Sequence, residues 1–172
     1  MLIRKMTFDD IAQAVEIEKQ CFSDPWSEKS FEDSLARDDT LFLVCIEEAT
    51  ESEVLKENKI VDTSSYLTNK EYMDQTVGYI GMYISYDEGN ITNVAVASAY
   101  RKKGYGEALL LAAKENAKEK EVEKIFLEVR VSNEPAISLY KKMKFEKLGV
   151  RKNFYDDPKE DAYIMSCDLK DC

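Results

Sequence analysis

The chain has 172 residues, of which 44% are hydrophobic and 34% charged, and this balance favours one folded domain over a disordered chain. Acidic residues outnumber basic ones by 34 to 24; the net charge of -10 argues against general nucleic-acid binding and suits either a basic partner or plain solubility. The absence of histidine argues against Ser-His and Cys-His catalysis and against most catalytic zinc sites, so acid–base work falls to Glu, Asp, Tyr, Lys, Cys or water.

The four cysteines show no Cys-x-x-Cys spacing, and no segment approaches the ~20 apolar residues that a membrane span requires. The first residues have no long apolar run after their charges, unlike a signal peptide. We therefore expect a cytoplasmic protein, a monomer or weak dimer, that holds no metal and binds neither membrane nor nucleic acid.

The beginning of the chain predicts a strand and two helices. Residues 2–6 favour a short strand, and Thr7 can cap the helix that follows. Ser27 is the expected N-cap of a second short helix, with Trp26 and Phe31 spaced to form a hydrophobic staple around it.

The middle of the chain predicts strands separated by an insertion. Residues 40–47 favour a buried strand, whereas the acidic, aperiodic stretch at about 48–75 is longer than an ordinary connection. A short helix is possible at 52–58, and we expect this insertion to hang off the hairpin that follows it. Residues 76–86 and 91–97 should form that antiparallel hairpin.

The rest of the chain alternates between helical and strand patterns. The predicted elements are a long helix that ends near residue 120, a strand at 125–131, a helix at 134–143, and strands at 145–150 and 162–169. The order of elements predicts a single mixed α/β domain over residues 1–172.

A basic loop, Arg101-Lys102-Lys103-Gly104-Tyr105-Gly106, lies between a strand and the long helix. A helix N-terminus presents unpaired N–H groups and partial positive charge, so it can hold a pyrophosphate, and Gly104 and Gly106 allow close backbone approach. The alternative is a simple turn with solvated charges.

Glu128 interrupts an otherwise apolar strand, and strand alternation places it on one face with Phe126 and Arg130. An amine must be neutral to form an amide, and a carboxylate at this point, acting directly or through water, can take the ammonium proton. The alternative is a surface glutamate paired with Arg130 or a lysine. Asn133 and Tyr140 fall on one face of the next helix, where the Tyr140 phenol can either protonate a departing thiolate or serve as a core aromatic.

An aromatic and acidic segment at 154–157 can line a groove for a peptide end, with Tyr155 as the substrate-contacting residue, or it can be an ordinary hairpin loop. An α-amino group has a pKa near 8 and is roughly one-tenth neutral at pH 7, whereas a lysine amine is neutral well under a thousandth of the time. A single modest base therefore suits a protein N-terminus.

Arg101, Gly104 and Gly106 match the Arg/Gln-x-x-Gly-x-Gly/Ala signature of the GNAT superfamily of acetyltransferases, and the strand before the loop also looks like that of the family. This resemblance implies acetyl-CoA as acyl donor and the GNAT fold, in class α/β (α+β), with a mixed central sheet of about six to seven strands flanked by about four helices.

The resemblance narrows to the RimI-type enzymes, which acetylate the N-terminal alanine of a small-subunit ribosomal protein. Its motifs cover nearly the whole chain outside the insertion: Pro25-Trp26-Ser27, Ile91-Thr92-Asn93-Val94-Ala95-Val96, Leu127-Glu128-Val129-Arg130, Ser132-Asn133, Leu139-Tyr140, Arg151, Phe154-Tyr155 and Glu160-Asp161-Ala162.

The family implies that Glu128 accepts the proton, that Tyr140 donates one, and that the amine attacks directly in a ternary complex. The expected acceptor is a basic ribosomal protein or its N-terminal peptide. The implied cofactor contacts, together with Arg101 from the signature, are Val94, Ala95, Val96, Lys102, Lys103, Gly104, Tyr105, Gly106, Glu107 and Asn133.

The chain departs from the family pattern at Lys144, where the family has Gly, and in the segment at 97–99. The insertion at about 48–75 is the larger departure: it either alters access to the acceptor groove or, as we expect, hangs off the hairpin. A lysine forced into left-handed geometry costs ~1 kcal/mol. Two alternatives stay open: a GNAT enzyme for another amine, such as a different N-terminus, a polyamine or an aminoglycoside, and a catalytically silent acyl-CoA-binding module.

Overall fold

The structure, a computed structural model, describes residues 1–48 and 74–171. This part of the chain forms seven strands and four α-helices, in the order that the sequence patterns predicted. They are β1 (Leu2–Lys5), α1 (Ile11–Cys21), α2 (Glu28–Leu35), β2 (Thr40–Glu48), β3 (Asp74–Ser85), β4 (Glu88–Val96), α3 (Tyr105–Glu119), β5 (Lys124–Arg130), α4 (Glu134–Lys142), β6 (Glu146–Asp156) and β7 (Lys159–Asp168).

The strands form one mixed sheet in the order β1-β2-β3-β4-β5-β7-β6. Every neighbouring pair is antiparallel except β4 and β5, which run parallel because α3 connects them as a crossover. Within residues 1–48 and 74–171 the fold is therefore α/β with seven strands and four α-helices, which confirms the predicted class.

The sheet carries a hydrophobic core on each face. Buried residues of α3 and α4, such as Leu109 and Tyr140, join the core on one face. Residues of α1 and α2, such as Ile17 and Phe31, join the core on the other. The sheet thus separates the molecule into an α3/α4 side and an α1/α2 side.

The cap predicted at Ser27 is confirmed, whereas Thr7, predicted to cap the first α-helix, caps a 3-10 turn instead. The Ser27 hydroxyl accepts a hydrogen bond from the Ser30 backbone N–H, and the Trp26 and Phe31 rings pack edge to face with centroids 5.5 Å apart. Thr7 precedes a 3-10 turn over residues Phe8–Asp10, and α1 begins only after it.

Two predicted boundaries were wrong near the end of the chain: β6 ends at Asp156 and not at 150, and β7 begins at Lys159 and not at 162. The strand predicted at 145–150 continues as β6 to Asp156, because its later residues pair again with β7 after an irregularity around Asn153, where φ is 50°. The segment at 154–157, predicted as a loop, is therefore mostly strand. The predicted insertion lies largely outside the described residues, including the possible helix at 52–58, although its last residues begin β3.

Candidate active site

An opening in the sheet lies between β4 and β5. The two strands pair only from Glu88 with Lys124 to Ile91 with Leu127. A bulge at Thr92 in β4 follows at once, because Gly81 of β3 pairs with Asn93 and the next β3 residue pairs with Ile91. The second half of β4 therefore pairs with β3 on one side and with no described strand on the other.

The free edge of β4 presents the backbone of Val94 and Val96. The Ala97 N–H donates to the Val77 carbonyl oxygen of β3 at 2.9 Å, and strand alternation turns the polar groups of Val94 and Val96 away from β3. These are two of the predicted cofactor contacts, while the side chain of Ala95 packs into the core on the α1/α2 side.

The predicted pyrophosphate loop ends at the start of α3. Gly104 is the N-cap residue with φ of 90°, a conformation that favours glycine. The Ala108 N–H donates to the Gly104 carbonyl oxygen at 3.0 Å, so the N–H groups of residues 105–107 precede the first helical bond. A Cβ on Gly106 would lie 3.2 Å from Leu139, which shows how closely α3 approaches α4 there.

Two side chains of this loop, Arg101 and Tyr105, form hydrogen bonds with other residues of the protein. Arg101 donates from Nε to the Val96 carbonyl oxygen at 3.1 Å and from Nη2 to the Cys21 thiol at 3.2 Å. The Tyr105 side chain is buried, and its hydrogen bond to Glu47, with burial, raises its pKa to about 12. Any contact of Tyr105 with a ligand would use its backbone.

Two further predicted cofactor residues also have intramolecular partners. The Glu107 carboxylate lies 2.6 Å from the Lys142 Nζ atom, and this ion pair links the start of α3 to the end of α4. Asn133 caps α4, because its Oδ1 atom accepts from the Ala136 N–H at 3.2 Å. Exposed cations, Lys102 and Lys103, remain at the loop surface.

Glu128 lies beside the opening, one residue beyond the last β4–β5 pair. Its neighbours Leu127 and Val129 are buried in the core on the α3/α4 side, so Glu128 points to the α1/α2 side. Its carboxylate lies 2.9 Å from Nη1 of Arg151 in β6. The alternative partner considered from sequence, Arg130, is engaged elsewhere.

Tyr140 lies on the opposite side of the sheet, in the core that α3 and α4 cover. It is buried, and burial raises the pKa of its hydroxyl above the ordinary value of 10.0. Its ring packs against Phe145 with centroids 5.8 Å apart. The Phe145 N–H donates to the Tyr140 carbonyl oxygen at 2.9 Å, which closes the end of α4 in a Schellman motif.

Tyr155 interacts electrostatically with both catalytic candidates, Glu128 and Tyr140. Burial raises its pKa, the Arg130 guanidinium opposes that rise, and the Glu128 carboxylate adds to it. A charge on Tyr155 would in turn raise the pKa of Tyr140. The structure therefore brings Glu128, Tyr140 and Tyr155 into one neighbourhood around the opening.

Arg130 organises this neighbourhood and was not singled out by the sequence patterns. It stacks over the Tyr155 ring at 4.1 Å and lies 3.2 Å from the Glu160 carboxylate. Its Nη2 atom donates to the Asp157 carbonyl oxygen at 2.7 Å and to the Ser23 hydroxyl at 3.3 Å. Strand alternation placed Arg130 beside Glu128, but its partners are more than 20 residues away along the chain.

The α1–α2 loop, residues 22–27, closes one side of the opening. At its start the Cys21 thiol lies 3.6 Å from the Val96 carbonyl oxygen of β4. Further along, the Ser23 hydroxyl donates to the Asp157 carbonyl oxygen in the β6–β7 turn. The loop thus extends from the end of β4 to the β6–β7 turn.

Among residues 1–48 and 74–171, no cluster of His, Cys, Asp and Glu has the composition to hold a metal ion. Within the same residues, none of the helices has the length and apolar character needed to cross a bilayer.

Residues 11–145 match the model of the acetyltransferase (GNAT) family. The match contains the open strand β4, the glycine loop, Glu128 and Tyr140. The chain therefore belongs to the GNAT family of acetyltransferases, which confirms the resemblance drawn from Arg101, Gly104 and Gly106.

Two named relatives and one solved structure are similar to this chain over different shares of its length. A Bacillus subtilis protein provisionally named ribosomal protein bS18-alanine N-acetyltransferase is 36% identical over 163 residues, which cover 95% of this chain and 92% of that protein. The crystal structure of the ribosomal-protein-S18-alanine N-acetyltransferase from Escherichia coli superposes with a TM-score of 0.74 at 26% identity, over 98% of this chain and 93% of that one. An N-alpha-acetyltransferase of Sulfurisphaera tokodaii is 46% identical over 83 residues, 48% of this chain and 49% of its own.

Proposed function

We propose that this protein is an N-alpha-acetyltransferase that transfers acetyl from acetyl-CoA to a protein N-terminus, the N-terminal alanine of small-subunit ribosomal protein bS18. One observation carries this proposal: the opening between β4 and β5 has a base candidate, Glu128, on one side of the sheet and an acid candidate, Tyr140, on the other. The proposed acceptor is taken from the names of two of the relatives reported above, which call them alanine N-acetyltransferases of this ribosomal protein.

The residues around the opening fit the shape and charge of acetyl-CoA. A helix start with free N–H groups at 105–107, next to Lys102 and Lys103, suits the pyrophosphate. The free edge of β4 at Val94 and Val96 suits the amide-containing arm, which can pair with it as an added strand would. Arg101 supports this edge through the Val96 carbonyl oxygen.

Glu128 would act on the incoming amine. The carboxylate takes a proton from the α-ammonium group, directly or through a water, and the neutral amine then attacks the thioester carbonyl carbon. The C–N bond forms as the C–S bond breaks, without an acetyl-enzyme. Only a modest base is needed, because roughly a tenth of an α-amine is already neutral at pH 7.

Tyr140 would complete the proton balance on the other side of the sheet. Because burial raises its pKa, the phenol keeps its proton at neutral pH and can donate a hydrogen bond to the sulfur as negative charge develops there. Proton transfer from Tyr140 to sulfur as the C–S bond breaks releases CoA as the thiol. The acceptor nitrogen loses its second proton as it becomes an amide, and a proton returned through water restores the phenol.

The acceptor would reach Glu128 from the α1/α2 side, where Tyr155 and the α1–α2 loop border the opening. The net charge of -10 favours a basic ribosomal protein over a neutral one. An acceptor of this kind implies a cytoplasmic location. We further propose that the protein acts as a monomer or weak dimer, which sedimentation at several concentrations can test.

The deciding experiment uses two hexapeptides with the N-terminal sequence of the cell's own bS18, identical except that one carries a blocked α-amine. Each is incubated with acetyl-CoA and the protein, and mass spectrometry locates the added acetyl group. We expect acetylation of the free peptide at its α-amine and none of the blocked peptide. Acetyl groups only on lysine side chains, or turnover only with spermidine or an aminoglycoside, would replace the proposed acceptor.

Coenzyme A binding in calorimetry without turnover on any of these amines would instead indicate a silent acyl-CoA-binding module.

A further inference from the structure

A buried carboxyl group lies beneath the α1–α2 loop. Glu18 in α1 is fully buried, and a group that deep in a protein needs hydrogen-bond partners. Its Oε1 atom accepts from the Tyr79 hydroxyl of β3 and from Nδ2 of Asn93 in β4, the latter at 2.9 Å. Its Oε2 atom accepts from the backbone N–H of Trp26 at 2.8 Å.

The two oxygens of Glu18 therefore have different partners. Oε1 binds the sheet, whereas Oε2 holds the backbone of the α1–α2 loop. The loop is held a second time at Ser23, by the β6–β7 turn and by Arg130. Of these two anchors, the one at Glu18 also contacts β4, through Asn93.

The contact on β4 is at a decisive point of the sheet. Asn93 follows the bulge at Thr92, where β4 ceases to pair with β5. Asn93 is buried, and its Oδ1 atom has no hydrogen-bond partner among the described residues. An unsatisfied buried amide oxygen costs free energy, so the Nδ2 bond to Glu18 offers a reason for an asparagine in this position.

We propose that Glu18 is a positioning residue, which fixes the α1–α2 loop relative to β4 so that an acceptor amine meets the thioester. This role rests on the proposed function. It predicts that loss of the Oε2 bond weakens use of the acceptor peptide. Binding of acetyl-CoA should stay nearly unchanged, because Glu18 contacts the Asn93 side chain and neither the start of α3 nor the backbone of Val94 and Val96.

Three substitutions separate the anchor from general stability. Glu18→Leu places an apolar side chain of similar size in the same site and removes both sets of bonds. Glu18→Gln keeps the anchor, because its carbonyl oxygen can accept from the Trp26 N–H, and its NH2 group can donate to Oδ1 of Asn93 once the Asn93 amide has turned over. Tyr79→Phe removes a bond to Oε1 and leaves the loop bond in place.

We expect Glu18→Leu to raise KM for the acceptor peptide about tenfold, with acetyl-CoA affinity within about twofold of the wild type. Glu18→Gln and Tyr79→Phe should keep KM within about twofold, even where Tyr79→Phe lowers Tm. A folded Glu18→Leu protein with wild-type KM would refute the role, and so would a Tyr79→Phe protein with an equal rise in KM.

Trp26 is the single tryptophan of the chain and reports the loop independently of catalysis. In Glu18→Leu, acrylamide should quench Trp26 fluorescence more strongly than in the wild type or in Tyr79→Phe. This holds even if the wild type acetylates no peptide, so failure of the proposed function is distinguishable from failure of the anchor.

If Glu18→Leu does not fold, the wild type alone decides. The Trp26 amide should exchange its hydrogen as slowly as the paired amides of β3, because Glu18 protects it. Exchange as fast as that of the exposed residues 23 and 24 would show that no anchor exists.

Discussion

Among single residues, the Tyr140 hydroxyl carries the most specific mechanistic expectation. It lies in a buried position at the end of α4, and its ring is already held by Phe145 without help from the oxygen atom. Removing the oxygen therefore leaves the packing in place and removes only the proton that the leaving thiolate needs.

We expect Tyr140→Phe to lower kcat by about 100-fold or more, with acetyl-CoA affinity nearly unchanged, because general acids contribute about 10²–10⁴ in rate. Steady-state kinetics and calorimetry measure the two quantities. Tyr86→Phe is the matched control, since Tyr86 is 96% exposed in the β3–β4 turn. Equal turnover of both variants would remove Tyr140 from the mechanism.

Candidate site residues were predictable where the signal is local. Alternation within β5 placed Glu128 away from the core, and the spacing of Asn133 and Tyr140 placed both in α4. The partners of Arg101 and Arg130 were not predictable, because Cys21 and Ser23 are 80 and 107 residues away along the chain. No periodicity encodes contacts made only after the sheet has formed.

Helices and strands were also predictable where they depend on residues close in sequence, and not where they depend on distant ones. The cap at Ser27 and the staple of Trp26 with Phe31 involve neighbours, so the sequence predicted them. The length of β6 depends instead on β7, which supplies pairing partners beyond the irregularity at Asn153. The strand predicted to end at residue 150 therefore continues to Asp156 in the structure.

At the end of α4, Lys144 has a backbone conformation that is unfavourable for a residue with a side chain. Lys144 has φ of 65°, the left-handed conformation expected where the family has glycine. Lys144→Gly should raise the free energy of unfolding by about 0.5–1 kcal/mol and Tm by about 1–4 °C, because the relief of strain exceeds the added freedom of the unfolded chain. Thermal denaturation measures both.

The control for that change is Lys141→Gly, one turn earlier in the helix, which should lower stability by about 1 kcal/mol. A loss of stability in Lys144→Gly comparable to that in Lys141→Gly would show that the left-handed position is not strained.

For the whole molecule, the first strand is fastened to the first helix by Asp10. Its buried carboxylate accepts from Arg4 at 2.7 and 2.8 Å and from the Thr7 N–H at 2.7 Å. Burial alone would raise the pKa of Asp10, but these hydrogen bonds outweigh it and hold the pKa below 3.8. The stabilisation is therefore complete at neutral pH and is lost as pH falls through the folded-state value.

Asp10→Asn should lower the free energy of unfolding at pH 7 by about 1.5–3 kcal/mol, and this difference from the wild type should shrink below about pH 3.5. Urea denaturation at several pH values measures it. Asp33→Asn, which breaks an exposed pair with Lys29, should change stability by less than about 0.5 kcal/mol at any pH. A constant Asp10→Asn difference across pH would contradict this assignment.

The placement of Glu128 and Tyr140 on opposite faces of the sheet has a kinetic consequence. Thioester and peptide would come to the β4–β5 opening from different sides, so neither one obstructs the diffusion of the other. Steric hindrance then imposes no compulsory sequence of addition, and both binary complexes would form on the way to a random-order ternary complex.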